Sequence, residues 1–142
     1  MRIYVGTRKG LFTIQGGEVA AASFLGTPVT AVLPRDGTVY AAVGHGHFGA
    51  KLHRSGNGGE TWEEIAAPKY PEKPADAVDK DPVRNKLVPW STELIWTLEA
   101  SGKTIWCGTI PGGLFRSDDS GASWSLVRPL WDRPERKQWF GG

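Results

Sequence analysis

One cysteine, one methionine, a net charge of only +2 and no apolar run of membrane-spanning length exclude much before any motif is read. A single thiol, Cys107, builds neither a disulfide framework nor a zinc site made of cysteines. The near-balanced charge, without a Lys/Arg cluster, leaves no footprint for nucleic acid. No apolar segment follows Arg2 as a signal peptide would require, and none is long enough to span a bilayer, so no membrane partner is expected. With the unpaired cysteine, this makes a soluble cytoplasmic protein the simplest expectation. Helical periodicity is also lacking. The only helix-permissive stretch, 72–88, is interrupted by Pro74 and Pro82.

What is present is aromatic and turn-rich. The 142 residues hold seven tryptophans, nineteen glycines and ten prolines with 39% apolar residues, enough for one domain of short strands joined by many turns. The strands repeat. "RIYVGTRKGLFTI" (2–14), "TVYAAVGHGHFGAKLHRS" (38–55) and "TIWCGTIPGGLFRS" (104–117) each run from a β-branched and aromatic segment through a glycine turn into a second apolar segment. In the second and third copies an octapeptide then leads to a tryptophan: "SGNGGETW" (55–62) and "SDDSGASW" (117–124). One more strand candidate precedes each full copy, "TPVTAVL" (27–33) and "ELIWTLEA" (93–100). Four short strands, A to D, recurring along a chain are the signature of β-propeller blades. The expectation is all-β: one partial propeller over 1–142, with blade 1 (2–25) lacking strand A, blade 2 at 27–66, a long loop at 67–92, blade 3 at 93–128 and a tail at 129–142.

The octapeptides resemble the Asp-box, or bacterial neuraminidase repeat, Ser-x-Asp-x-Gly-x-Thr-Trp. The second fits at Ser117, Asp119, Gly121 and Trp124 with Ser123 for the Thr; the first fits at Ser55, Gly59, Thr61 and Trp62 with Asn57 in place of Asp. The wider chain, with "GHGHFGAKLHRS" and "LWDRPERKQWFGG", looks like the N-terminal part of bacterial glycosyl hydrolase or exo-sialidase-like propellers of that class. The resemblance implies a sialidase-like propeller that binds or hydrolyses carbohydrate. Sialidases hold the substrate carboxylate with three arginines; Arg8, Arg133 and Arg136 are the arginines here that can fork onto an anion. The triad does not map residue by residue, and Arg2-Ile3 is followed by Tyr4 where the family has proline.

Up-and-down strands put successive turns at alternate ends of a blade. The octapeptides occupy the C–D turns, where Asn57 or Asp119 and the serines can bond nearby amides, glycine supplies a positive φ, and Trp62 or Trp124 packs between blades. Their expected role is structural. Ligands are expected at the other end, among the B–C turns and D–A connections. There Arg8 and Lys9, His45 and His47, Trp90 in the loop, and Trp131, Arg133 and Arg136 in the tail are the candidate binding residues. Hydrolysis needs two facing carboxylates. Of Glu72, Asp76, Asp79, Asp81, Glu93, Asp132 and Glu135, the last two stand beside Trp131 as an aromatic-plus-acid sugar platform and are the candidate catalytic pair. "GHGHFG" spells a dinucleotide fingerprint, but a strand follows it where a helix is required. His45 and His47 lack a third ligand at recognisable spacing, and His53 lies along a strand, so neither a metal nor a cofactor is expected.

Nearly three blades do not close a ring, which takes four to eight. Self-association or further C-terminal blades are therefore expected to complete it. The competing function is a non-catalytic scaffold that offers the same end to a protein partner.

Overall fold

The computed structural model describes residues 1–139. Three antiparallel sheets follow one another along the chain. Blade 1 contains β1 (Arg2–Thr7), β2 (Gly10–Gln15) and β3 (Glu18–Ser23). Blade 2 contains β4 (Val29–Arg35), β5 (Thr38–Gly44), β6 (Ala50–Ser55) and β7 (Glu63–Ile65). Blade 3 contains β8 (Leu94–Ser101), β9 (Thr104–Ile110), β10 (Gly113–Ser117) and β11 (Ser125–Leu126). Each strand pairs with the next in sequence, so every sheet is a meander. The fold is all-β and its sheets are propeller blades. Blade 1 starts at the strand equivalent to β5 and β9, and its last two strands are joined at Gly16-Gly17 where the other blades carry the octapeptide.

Alternation along each strand decides which side faces which neighbour. In β5, Ala41 and Val43 join Leu11 and Val29 in a core between blades 1 and 2. Tyr40 and Ala42 turn the other way and join Leu33, Leu52, Ile95, Ile105, Cys107 and Phe115 in the core between blades 2 and 3. The sheets are buried face to face, and each fully buried aliphatic or aromatic side chain contributes about 1.5–3 kcal/mol. Cys107 is part of that core, where burial pushes its thiol up to about 12 and makes it a packing group, not a nucleophile.

Both inner strands carry a bulge at the same place, around Thr30 in β4 and Trp96 in β8. A bulge re-aims one side chain. Thr30 uses it to donate its hydroxyl to the Ile95 carbonyl at 2.7 Å, joining the inner strands of blades 2 and 3.

The two octapeptides close their turns identically. Ser55 Oγ accepts the Gly59 amide and Ser117 Oγ the Gly121 amide, each at 2.8 Å. Asn57 Oδ1 accepts the Thr61 amide at 3.0 Å and Asp119 Oδ1 the Ser123 amide at 2.9 Å. Gly59 and Gly121 sit at φ 94° and 84°, which side-chain-bearing residues rarely adopt. Each tryptophan then reaches back one blade: Trp62 Nε1 donates to Ser23 Oγ at 3.1 Å, and Trp124 Nε1 to the Ala66 carbonyl at 2.8 Å.

Asp119 is held down at about 2, first by the Ser123 hydroxyl, then by the Ser123 amide and the Ser117 hydroxyl. Its folded value lies below that of an unfolded carboxyl near 4, so its charge contributes stability above about pH 4 that is lost as pH falls towards 2. Asp119→Asn is expected to keep the turn, because Asn57 does the same work with its Nδ2 donating to Thr61 Oγ1 at 2.9 Å. Thermal melts should show a steeper loss of Tm between pH 4 and pH 2 in the wild type than in the variant. Equal slopes would contradict this account of the turn.

Among the described residues helix is limited to short pieces: a 3-10 turn at Gly46–Phe48 between β5 and β6, a single turn α1 (Arg128–Trp131) and a 3-10 stretch at Pro134–Gln138. The 72–88 stretch forms none; its prolines and the Lys80–Leu87 bridge keep it extended and turned. No helix among the described residues is long and apolar enough to cross a membrane.

Candidate functional site

The loop 67–92 carries nine charged residues and five prolines, yet it is pinned at several points. Tyr70 inserts its ring over Gly113, where an added Cβ would lie 2.8 Å from the ring's Cζ. Its hydroxyl donates to the Pro111 carbonyl at 2.6 Å and meets Thr109 Oγ1 at 2.6 Å. Burial pushes this phenol up to about 12, so it stays protonated as a donor. Lys73 Nζ donates to the Val88 carbonyl at 2.9 Å, and Thr92 Oγ1 to the Pro68 carbonyl at 2.7 Å, drawing the two halves of the loop together.

The tail locks onto this loop through a buried ion pair. Arg136 Nη2 lies 2.8 Å from Asp79 Oδ2, with side chains only 8% and 2% exposed. Asp79 also accepts the Trp90 indole N–H at 3.1 Å. Arg136 donates from Nε to the Trp131 carbonyl at 2.7 Å and lies 3.7 Å above that tryptophan's ring. Tyr70 and Trp90 pack on the same ring with centroids 4.7 and 5.3 Å away. Lys137 adds a bond from Nζ to the Val78 carbonyl at 3.0 Å. Such a pair, stacked on Trp131 and supported by hydrogen bonds to the Trp90 indole and the Trp131 carbonyl, meets the conditions under which a buried charge is tolerated.

The clip forms one wall of a cleft of about 600 Å³ at the end of blade 3 that carries the B–C turn and the D–A connection. Residues from the 79–89 part of the loop, the 109–112 turn, and Arg136, Lys137 and Trp139 of the tail surround it, and Glu93 and Trp96 complete its lining. Trp96, aimed out by the bulge in β8, is 62% exposed, and Trp139 is 47% exposed. Leu87 and Ile110 add exposed aliphatic surface. The lining holds the cations Lys80, Arg84, Lys86, Arg136 and Lys137 against the acids Asp79, Asp81 and Glu93. Asp79 is consumed by Arg136. Asp81 caps its own turn, its Oδ1 accepting the Val83 and Arg84 amides at 2.9 and 2.6 Å, and these bonds hold its carboxyl below the usual range. Lys80, Arg84 and Lys86 make no ion pair among the described residues. The cleft is cationic and aromatic.

The residues singled out from the sequence are scattered around this cleft, and only one of them lines it. Trp131, read as the face of a sugar platform, is 2% exposed and covered by Tyr70, Trp90 and Arg136, so neither face is offered to a ligand. Trp90 is engaged by Asp79. Arg136 lines the cleft but holds Asp79. Asp132 and Glu135 do not line the cleft; Asp132 pairs with Arg128 at 3.1 Å and Glu135 with Arg133 at 3.9 Å, all half-exposed or more. Arg8, Lys9, His45 and His47 are exposed on other turns outside it. His53 stacks on Phe24 at 4.9 Å between blades 1 and 2, where burial lowers its pKa and keeps the ring neutral. No group of three or more metal-ligating side chains gathers among the described residues.

Sequence reading passed over Trp96, Trp139 and the partnership of Asp79 with Arg136. Trp96 had one available signal, its alignment with Thr30 in the repeated inner strand. Asp79 had none, because nothing local distinguishes an acid buried by a tail 57 positions away from the solvated acids around it.

No family model matches the sequence, and no curated protein matches it. Ten chains of solved structures match its fold. One is described as "YCF48 bound to D1 peptide": it superposes with a TM-score of 0.55 at 19% sequence identity over 89% of this chain. This chain spans 36% of that one.

Proposed function

We propose that these blades form a non-catalytic binding scaffold whose cleft takes an extended peptide segment combining carboxylates with apolar side chains. The observation that carries this reading is the composition of the cleft: three cations, Lys80, Arg84 and Lys86, whose charged groups make neither an ion pair nor a hydrogen bond among the described residues, stand around two exposed tryptophans. Carboxylates of a ligand complement Lys80, Arg84 and Lys86, and aliphatic or aromatic side chains complement Trp96, Trp139 and Leu87. Glycoside hydrolysis requires two facing carboxylates. In this lining Asp79 and Asp81 are occupied, which leaves Glu93 alone. The propeller of similar fold is described with a D1 peptide bound, so the fold has a precedent for peptide recognition.

The Asp-box resemblance favours a carbohydrate instead, and exposed Trp96 and Trp139 are surfaces on which a sugar ring can stack. An immobilised array of decapeptides graded in acidic and aliphatic content separates the two readings. Retention should rise with both contents, fall with salt, and drop about tenfold or more in a Lys80→Glu, Lys86→Glu variant that keeps its circular dichroism. Saturable oligosaccharide binding with no retained peptide would overturn the peptide reading. Turnover of a fluorogenic glycoside would overturn the non-catalytic one.

A further inference from the structure

One joint between blades occurs twice in this chain, and half of it occurs a third time. In blade 1, Tyr4 pairs across the ladder with Thr13, and Gly6 with Leu11. In blade 2, Tyr40 pairs with Arg54, and Ala42 with Leu52. These positions face the following blade: Leu11 is buried in the core between blades 1 and 2, and Tyr40, Ala42 and Leu52 in the core between blades 2 and 3. The aromatic residue in each case reaches the octapeptide turn of the next blade. Tyr4 Oη donates to the Gly58 carbonyl at 3.4 Å and Tyr40 Oη to the Ser120 carbonyl at 3.2 Å. Each ring also lies against the turn glycine, so that an added Cβ at Gly59 or Gly121 would stand 3.8 or 3.5 Å from it. The small residue lets the next inner strand approach; at Gly6 an added Cβ would meet Val29 and Val32 at 3.2 Å.

Blade 3 repeats the pattern in the same register, with Trp106 opposite Arg116 and Gly108 opposite Leu114. Ile105, Cys107 and Phe115 are buried towards blade 2, so strand alternation turns Trp106, Gly108 and Leu114 to the opposite side. Trp106 is half-buried, with the Arg116 guanidinium 5.4 Å from its ring centroid. We infer that this face of blade 3 is the docking surface for a further four-stranded blade carrying the octapeptide turn, supplied by sequence other than these 142 residues. The indole N–H of Trp106 stands where two phenol O–H groups donate to octapeptide carbonyls, so it has the chemistry to make the same bond.

A second copy of this chain does not provide that occupant. Its octapeptide turns, in blades 2 and 3, already receive Tyr4 and Tyr40 of its own preceding blades. Its remaining blade, blade 1, has the Gly16-Gly17 turn in the octapeptide's place. The inference is independent of what the cleft binds, because it concerns a different face.

The test appends residues 27–142 after Gly142, which offers a second pair of octapeptide blades, and compares this tandem with the single chain. Trp106→Ser is made in the first copy of the tandem and in the single chain. The expected result is a Tm several degrees lower for the substituted tandem, with no change in the single chain. Hydrogen exchange should show the Trp106 indole N–H protected in the tandem and exposed in the single chain, because β9 is already paired on both edges within blade 3 and its backbone amides do not report docking. Equal shifts in both, or no shift in either with an unprotected Trp106 indole, would overturn the assignment. So would a single chain that forms a dimer protecting the Trp106 indole, since a second copy would then be the occupant.

Discussion

Asp79→Ala is expected to cost about 3–5 kcal/mol of unfolding free energy, because it leaves the Arg136 guanidinium buried without its counter-charge. The side chains lose more than one contact. Asp79 joins Arg136 to the Trp90 indole, so its removal frees the tail from the loop and opens the wall of the cleft. A double variant, Asp79→Ala with Arg136→Met, should recover much of the loss, since an apolar side chain of similar length keeps the cover over Trp131 without a buried charge. Urea unfolding of the four proteins in this cycle gives the coupling directly. Single variants that each cost under about 1 kcal/mol, the range of exposed pairs, would show that the ion pair is solvent-screened and does not hold the tail.

Trp131→Ala is expected to cost a similar amount, about 3–5 kcal/mol, as the removal of a large side chain that is 2% exposed. Tyr70, Trp90 and Arg136 all pack on this ring and would surround the cavity left behind. Trp131→Phe is expected to be much milder. The indole Nε1 is buried without a hydrogen-bond partner among the described residues, so phenylalanine removes a desolvated donor while retaining most of the packing. Urea midpoints should rank wild type and Trp131→Phe close together with Trp131→Ala far below. Were Trp131 a ligand platform, alanine would instead reduce binding with little change in midpoint.

The contrast between those outcomes reflects what the sequence could show. Four-stranded units were legible because strands and turns are local: β-branched runs such as "TVYAAVG" alternate faces, and the octapeptide's Ser, Asn or Asp, and Gly act within a few residues of one another. The inter-blade reach of Trp62 and Trp124 follows from that same spacing. The cleft was legible only as an end of the molecule, since turn alternation placed the long loop, the 108–113 turn and the tail together. Its residues were not legible. Trp131 beside Asp132 and Glu135 has the composition of a sugar platform, but composition does not say that α1 turns the indole inward and the acids outward to Arg128 and Arg133. Asp79 and Arg136 look like any charges in a solvated segment, and their burial exists only once the tail has docked. Trp96 reads as a strand residue until the bulge at Ile95/Thr97 turns it out of the sheet.

The seven tryptophans make the cleft directly observable, since each indole N–H gives its own nitrogen-correlated proton resonance. The decisive measurement is to follow those seven resonances while titrating the most strongly retained acidic-aliphatic decapeptide of the array. The scaffold reading predicts saturable shifts at Trp96 and Trp139, with Trp62 and Trp124 unmoved between the blades. Shifts confined to the inter-blade tryptophans, or saturation with Trp96 and Trp139 unchanged, would contradict it.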